Sequence, residues 1–514
     1  MPRYARGAAW VAALAALWVY VLTLSPTVTW MNFGEDSGDL LSASATLGIP
    51  HPTGYSLYVL LGRVASLLPL GSIAFRINLI SALAGAAGVY FLVRWVAEAA
   101  PRAAGPGGAL FGALTAAGIY AFSRGAWSQS VLAEVYTLQI AILGAILWAS
   151  ARAARPEGTR ALYVAAYLFG LGLSHHLLVL AAAPALGIAI WQRARAGALG
   201  AVPGALLFLL VIWGATPILY LPIRASLGPD FSWGVPNTPE RLAWVLTGAQ
   251  YAGNFFHRSA AELVRHLVPG RWVEHFGAAL VLVGIGAVTS WMKVSGERAA
   301  GLVPAAAALL STLLLLSAYS IADDVGYWMP VGYVACGLAG LGLAAFWGRS
   351  GHASIRAGAA GLAIVLVAWG LTRSFRQVDA SKDVMPYLYA HRSLEAVEPN
   401  ALIVSDYDGR TFSLWFYKAT DFRESRRGVS VVYKSLLVWP WYLHHIAKRD
   451  PALAVPPGDR DLSLVMNRLV ARNIRRRPVY MVRDDPALAE IFTTEPVGMP
   501  SLPIFRVRLK EPKP

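Results

Sequence analysis

The feature that most constrains this chain is the recurrence of apolar blocks of roughly 20 residues separated by polar punctuation, the length a helix needs to cross about 30 Å of hydrocarbon. Spans are read at 8–24, 73–97, 107–123, 129–150, 160–174, 176–192, 202–223, 276–292, 300–320, 327–348 and 354–372, eleven in all, with 160–192 readable as one bent span or two short ones. In lipid a helix satisfies its backbone N–H and C=O groups within its own segment, so the expected class is a polytopic α-helical membrane protein. Only 14% of residues are charged and 56% are hydrophobic, against about a quarter charged in soluble domains. A soluble enzyme is excluded. The single cysteine, Cys336, lies inside a span, so neither an intrachain disulfide nor a Cys-rich metal site is available.

The first span follows Arg3 and Arg6 and ends Leu24-Ser25-Pro26-Thr27 without a small-residue cleavage pattern, which predicts an uncleaved first helix. With a cytoplasmic N-terminus, every inside connection is basic: Arg94 and Arg102; Arg152, Arg155 and Arg160; Arg193 and Arg195; Lys293 and Arg298; Arg349 and Arg356. The short outside connections supply only Arg124, and the last carries Asp323 and Asp324. This is the asymmetry that sets topology, so the net charge of +15 is no sign of a nucleic-acid partner. A multi-pass protein of the cell inner (plasma) membrane is expected, with loops 25–72 and 224–275 and everything after residue 373 extracytoplasmic.

Residues 1–372 therefore read as a transmembrane domain and 373–514 as a separate α/β domain. Strand-like runs at 401–404, 429–433 and 478–482 alternate with helix-like stretches such as 460–476. The run Arg475-Arg476-Arg477 reads as a solvated helix end. Asp406 and Asp408 follow the first strand, where an open α/β sheet places ligands or where they cap a helix over 409–418.

Ionisable groups near membrane depth are costly and mark sites, and here they gather on the outer side. Glu35, Asp36 and Asp39 crowd directly after the first span; Ser37 or Asp36 can cap a helix through 38–47, but capping needs only one acid. Glu35 and Asp36 are the functional candidates, with Asp39 in support. Next, the Pro/Gly-dense turn around His51 and Tyr55 joins stretches 38–47 and 55–68, which are expected to lie in the membrane interface. Glu134 and Tyr136 open the fourth span, where an unpaired carboxylate is costly. His175 and His176 form the next outer turn; neighbours on a helix point about 100° apart and make a poor chelate, so one imidazole bonding a phosphate or carboxylate is the better reading. The seventh span ends at Arg224, either an interfacial anchor or an anion clamp, and Trp233-Gly234 lies just beyond.

These motifs, Asp36-Ser37-Gly38-Asp39-Leu40, Leu47-Gly48, His51-Pro52, Gly54-Tyr55, Trp127 with Glu134-Val135-Tyr136, Ser174-His175-His176, Tyr220-Leu221-Pro222-Ile223-Arg224 and Trp233-Gly234, resemble the transmembrane protein O-mannosyltransferase-like family, long filed as a domain of unknown function, within the GT-C superfamily of membrane glycosyltransferases. The resemblance runs from about residue 20 to 350; in the tail, Asp406-Tyr407-Asp408 and Trp415-Phe416-Tyr417 look like the outer domain of bacterial members. Departures are Asp39, where the family commonly has Glu, and Thr53, where a second proline is usual.

The resemblance implies a GT-C-like fold and inverting transfer of a sugar, mannose or another hexose, from a polyprenyl-phosphate carrier to a hydroxyl acceptor such as a protein Ser or Thr, on the outer face. A carboxylate serves as base, and Asp36 is the leading candidate with Glu35 next. The departing phosphate needs fixed positive charge, for which Arg224 leads, with His175 or His176 assisting. Asp39, His51, Tyr55, Glu134, Tyr136 and Trp233 are candidate substrate-binding residues. No nucleotide cofactor is required; a divalent metal among Glu35, Asp36 and Asp39 stays open. The rival readings are a transporter or flippase of lipid-linked sugar, though transporters place charge at the midplane within repeats and no repeat is visible, or a GT-C enzyme that modifies a lipid or glycan.

Overall fold

The computed structural model describes residues 3–155, 158–197, 199–267, 272–273, 281, 284, 297–321, 324–484 and 492–510. Helix α1 (Arg3–Leu22) is followed by two short helices, α2 (Ser37–Thr46) and α3 (Ser56–Ser66), and then by α4 (Ile73–Ala99) and α5 (Gly105–Ala121). Next come α6 (Arg124–Ser128), α7 (Tyr136–Ala153), α8 (Thr159–Leu173), α9 (Ala183–Arg195), α10 (Ala201–Gly214), α11 (Tyr220–Ser226), α12 (Pro239–Leu246), α13 (Ala260–Leu267), α14 (Glu297–Ala318), α15 (Val325–Arg349) and α16 (Ala353–Val378).

Among the described residues, seven stretches are long and apolar enough to cross a membrane: Ala5–Leu22, Ile73–Ala99, Tyr136–Ala153, Leu177–Arg195, Pro203–Ser226, Val325–Arg349 and Ala353–Val378. Shorter helices at Gly105–Ala121, Thr159–Leu173 and Val303–Ala318 stand at three further expected spans. The expected span 276–292 lies outside the described residues apart from 281 and 284. Small residues let α15 occupy the centre of the bundle, 94% of its spanning window buried, whereas α16 is peripheral at 6%.

The region 160–192 is two helical segments, as the count of eleven spans has it, because the chain leaves α8 at Ser174 and re-enters a helix at Leu177. Three expectations change. The fourth span begins at Tyr136 rather than 129: the segment before it takes its backbone partners elsewhere, Ser25 N–H donating to Val131 O at 2.9 Å and Ser81 Oγ to Glu134 O at 3.1 Å. The seventh span breaks after Gly214, where Pro217 brings no N–H to the helix. Finally, the two stretches expected to lie together in the membrane interface differ: Leu60, Leu61, Val64 and Leu67 are exposed, whereas Ser37 through Ser44 are all buried.

What buries α2 is the C-terminal α/β region. It comprises α17 (Met385–Ala396), β1 (Leu402–Ser405), α18 (Asp408–Ala419), β2 (Ser430–Tyr433), α19 (Pro440–Arg449), α20 (Leu462–Asn473), β3 (Val479–Met481), β4 (Phe492–Met499) and β5 (Leu502–Leu509). The sheet order is β2-β1-β3-β5-β4; the first three strands are parallel, with Leu402 opposite both Ser430 and Val479, and β5 and β4 complete it antiparallel. The hairpin β4–β5 is not legible as apolar runs, because β4 is mostly exposed and interrupted by Pro496. Arg477 is not a solvated helix end: its side chain is buried and pairs with Asp450 at 2.5 Å. The first loop is tied to this region by Thr29 Oγ1 donating to Asp383 Oδ2 at 2.5 Å, Asn32 Nδ2 to Val378 O at 2.9 Å and Trp30 Nε1 to Gly409 O at 2.8 Å.

Candidate active site

Asp39 is the buried anchor of the site. In the first turn of α2 and wholly inaccessible, it accepts three N–H groups: His51 backbone N–H at 3.0 Å, His51 Nδ1 at 2.6 Å and Trp233 Nε1 at 2.9 Å. Two distant segments are brought to it by a short parallel bridge, in which Ile49 N–H donates to Phe231 O at 2.9 Å and Trp233 N–H to Ile49 O at 3.0 Å. Gly48 permits that approach, since a Cβ there would stand 2.7 Å from Phe231 O. Tyr55 takes a left-handed conformation at the head of α3 (φ 37°). That is costly for a side-chain-bearing residue, and it sets the Tyr55 hydroxyl 3.2 Å from His51 Nε2 and 3.1 Å from Pro52 O.

Asp36 faces the other side of His51, with Oδ2 3.9 Å from Nε2, and keeps 47% of its side-chain surface accessible. It lines a recess rather than a surface. Burial pushes its pKa up to about 6, aided by the charges of Asp408, Asp39 and Glu35, while His51 pulls the other way. His51 is pushed up to about 9: burial disfavours its charged form, but Asp36, Asp39 and Glu134 together outweigh that. The expectation that Asp36 or Ser37 caps α2 is not met: Asp36 occupies the cap position without a side-chain bond, and Ser37 Oγ donates to Thr29 O at 3.1 Å.

The α/β region completes the recess. Tyr407 donates to Glu35 at 3.1 Å, and the Tyr433 hydroxyl donates to Asp408. Asp406 and Asp408 do not cap α18, whose cap position is Tyr407 without a side-chain bond; Asp406 instead pairs with Arg483 at 2.8 Å. Sequence reasoning missed Tyr407 and Tyr433 as site residues. The motif Asp406-Tyr407-Asp408 was the available signal, but nothing in it says that the end of β1 faces the first loop.

On the membrane-helix side stand His175 and His176, both buried. His175 Nε2 lies 2.8 Å from Val135 O, an acceptor, so that nitrogen carries the proton; Nδ1 finds no partner among the described residues. His176 Nδ1 accepts from Leu178 N–H at 3.0 Å, which puts its proton on Nε2. Both rings are thus neutral, and burial holds their pKa values at about 4 and about 3. Tyr55 stacks on His176 at 5.7 Å, Tyr136 lies 5.7 Å from it and Tyr327 6.1 Å, so three of the expected substrate-binding residues form one aromatic wall, to which the structure adds Tyr327. Tyr251 joins it and feels the charges of Asp36 and Asp39; burial raises it well above its ordinary value. Glu134 is buried, its Oε2 accepting from Val135 N–H at 3.2 Å.

Arg224 stands apart from the acids. Its Nε donates to Leu47 O at 2.8 Å, and the neighbouring Tyr220 hydroxyl donates to Gly48 O at 2.6 Å, so α11 fastens the turn that carries His51. Among the described residues no group of three or more His, Cys, Asp or Glu side chains is placed to hold a metal ion. Glu35, Asp36 and Asp39 diverge, because Asp39 is turned inward to His51 and Trp233 while Glu35 reaches Tyr407.

The architecture is the GT-C-like one expected from the sequence. Over 97% of both chains it superposes on the crystal structure of ArnT from Cupriavidus metallidurans bound to undecaprenyl phosphate, with a TM-score of 0.60 at 12% identity, and on the apo form with a TM-score of 0.57 at 11% identity. Residues 36–197 match the Protein O-mannosyl-transferase TMEM260 N-terminal domain. The chain is also similar to the mouse (Mus musculus) Protein O-mannosyl-transferase TMEM260, 26% identical over 472 residues, which is 86% of this chain and 64% of that protein. The resemblance carried by the motifs is borne out in both sequence and fold.

Proposed function

We propose that the protein is an inverting membrane glycosyltransferase that moves a sugar, mannose or another hexose, from a polyprenyl-phosphate carrier to a hydroxyl acceptor, with a protein Ser or Thr the favoured one, at the extracytoplasmic face of the plasma membrane. The observation that carries this reading is the placement of Asp36: half accessible, 3.9 Å from His51 Nε2, at the seam where the helical bundle meets the α/β region. A lipid-linked donor reaches such a seam from the bundle and a hydroxyl acceptor from water. The O-mannosyl-transferase name of the mouse relative and the undecaprenyl phosphate bound to ArnT support it.

In this reading the acceptor oxygen attacks the anomeric carbon opposite the phosphate, Asp36 takes the hydroxyl proton, and the carbon–oxygen bond to phosphate breaks with its electron pair leaving on the phosphate. Glu35, held by Tyr407, orients the acceptor; Tyr55, Tyr136 and His176 wall the sugar; Arg224 serves the donor phosphate. Residues 1–372 form the catalytic domain and 373–514 an outer domain that lends Tyr407 and Asp408 to the recess.

The test is transfer by purified protein in detergent, where flipping has no meaning, from a polyprenyl-phosphate hexose to a Ser/Thr peptide. Asp36→Asn keeps the shape and removes the basicity, so transfer falls by ~10²-fold or more. A folded wild-type protein that transfers to no hydroxyl acceptor, peptide, lipid or glycan, refutes the enzyme reading and favours a flippase. Should Asp36→Asn and Glu35→Gln both stay active, the base passes to Glu134.

A further inference from the structure

Hydrogen-bond valence around His51 fixes its protonation. Asp39 already accepts the His51 backbone N–H and Trp233 Nε1, and a carboxylate can only accept, so the Nδ1 that meets its Oδ2 at 2.6 Å is a donor. On the opposite edge of the ring, the Tyr55 hydroxyl spends its hydrogen on Pro52 O at 3.1 Å, which leaves its oxygen to accept from Nε2 at 3.2 Å. Both ring nitrogens donate. A histidine in that position is an imidazolium, and it cannot take the acceptor's proton because it has no free lone pair.

We propose that His51 is a positioning residue, fixed as a permanent imidazolium by Asp39, Trp233, Tyr55 and the Pro52 carbonyl, whose charge holds Asp36 ionised for proton abstraction. This role rests on the glycosyl-transfer reading of the site. The geometry that carries it is the clamp: Asp39 is wholly buried, Trp233 is 4% exposed, and His51 has its charge 3.9 Å from Asp36 Oδ2. The groups facing His51 are Asp36 just before α2, Asp39 from α2, Tyr55 just before α3, Glu134 from the segment before α7, His176 from the turn after α8, and Trp233. Asp408 and Glu35 act on Asp36 from the far side, and both favour its protonation. His51 opposes burial and three neighbouring carboxylates, so without it Asp36 holds its proton to higher pH and is a poorer base.

Two measurements on the full chain in detergent test this. The first is ring ¹⁵N NMR of histidine-labelled protein, with His51→Gln assigning the signal among the chain's 10 histidines. The His51 signal is expected to remain imidazolium at pH 8 in the wild type and to titrate one or more pH units lower in Asp39→Asn. A neutral His51 at pH 7 overturns the proposal whatever reaction the protein performs. The second is the pH profile of transfer. His51→Gln moves the acid limb up by about one unit or more, whereas a loss of rate with an unmoved limb means that His51 is only structural and overturns the proposal. If His51→Gln does not fold, Tyr55→Phe removes the acceptor at Nε2 and must lower the His51 titration point; an unchanged point overturns the clamp. A wild type without transfer activity refutes the functional reading while the NMR result still stands or falls by itself.

Discussion

Gly38 sits between Asp36 and Asp39 at the start of α2, where that helix lies directly against α18. A Cβ built on it would stand 2.7 Å from the carbonyl carbon of Phe412, 2.8 Å from its oxygen and 2.9 Å from its Cβ. The first two are backbone atoms and cannot rotate away. Ordinary contact begins near 3.4 Å, so Gly38→Ala requires α2 and α18 to part by about 0.7 Å, the difference between 3.4 and 2.7 Å. Overpacking of this kind costs about 1–3 kcal/mol. Alanine returns about 1 kcal/mol through helix propensity, so the net effect is a destabilisation of up to about 2 kcal/mol. The larger consequence is for chemistry: a shift approaching 1 Å at a reacting group costs about 10²-fold in rate, and here both acids move relative to Asp408 and Tyr407. The assay is thermal unfolding in detergent beside transfer kinetics, with Gly7→Ala as control, since nothing lies within 4 Å of a Cβ at Gly7 in α1. Gly38→Ala with wild-type stability and turnover would show that the seam is soft and that the α/β region does not set the recess.

Three further outcomes are expected. Arg224→Ala, which loses the Leu47 O contact, should raise the donor KM with a loss of about 1.5–3 kcal/mol for a charge-assisted bond; unchanged donor kinetics in a folded variant would make Arg224 an anchor of the turn alone. Asp36 has its folded pKa raised from 3.8 to about 6, so its favourable contribution to stability is present below 3.8 and lost as pH rises through 6. Asp36→Asn should therefore raise the unfolding midpoint modestly at pH 7.5, the half-exposed side chain keeping the effect small, and give no gain at pH 3.5; a gain of equal size at both pH values would exclude this origin. A reporter fused after residue 400 should be active outside the cytoplasm, and activity confined to the cytoplasm would overturn the topology.

The hydrophobic pattern alone set much of this molecule, because a segment that crosses lipid must satisfy its backbone within itself and so announces its length locally. That is why the long apolar helices and the parallel strands β1, β2 and β3 were legible, and why α16 could be counted without knowing its neighbours. Clustering of acids likewise exposed Glu35, Asp36 and Asp39, and the His51 turn stood out by its prolines. What the sequence left undecided was which groups meet. Asp39 bonds Trp233 across 194 positions, and Tyr407 reaches Glu35 across 372; no local pattern encodes such pairings, since the first depends on the bridge between Ile49 and Ser232 and the second on the docking of α18 on α2. The same docking moved residues 38–47 from an expected membrane surface to the buried seam. It also sorted three similar carboxylates into different roles: one locked to a histidine, one held by a tyrosine and one left half open. Local spacing can place acids near one another, but only the tertiary structure sets which of them is desolvated, which is bonded and which faces a charge, and those differences decide proton affinity.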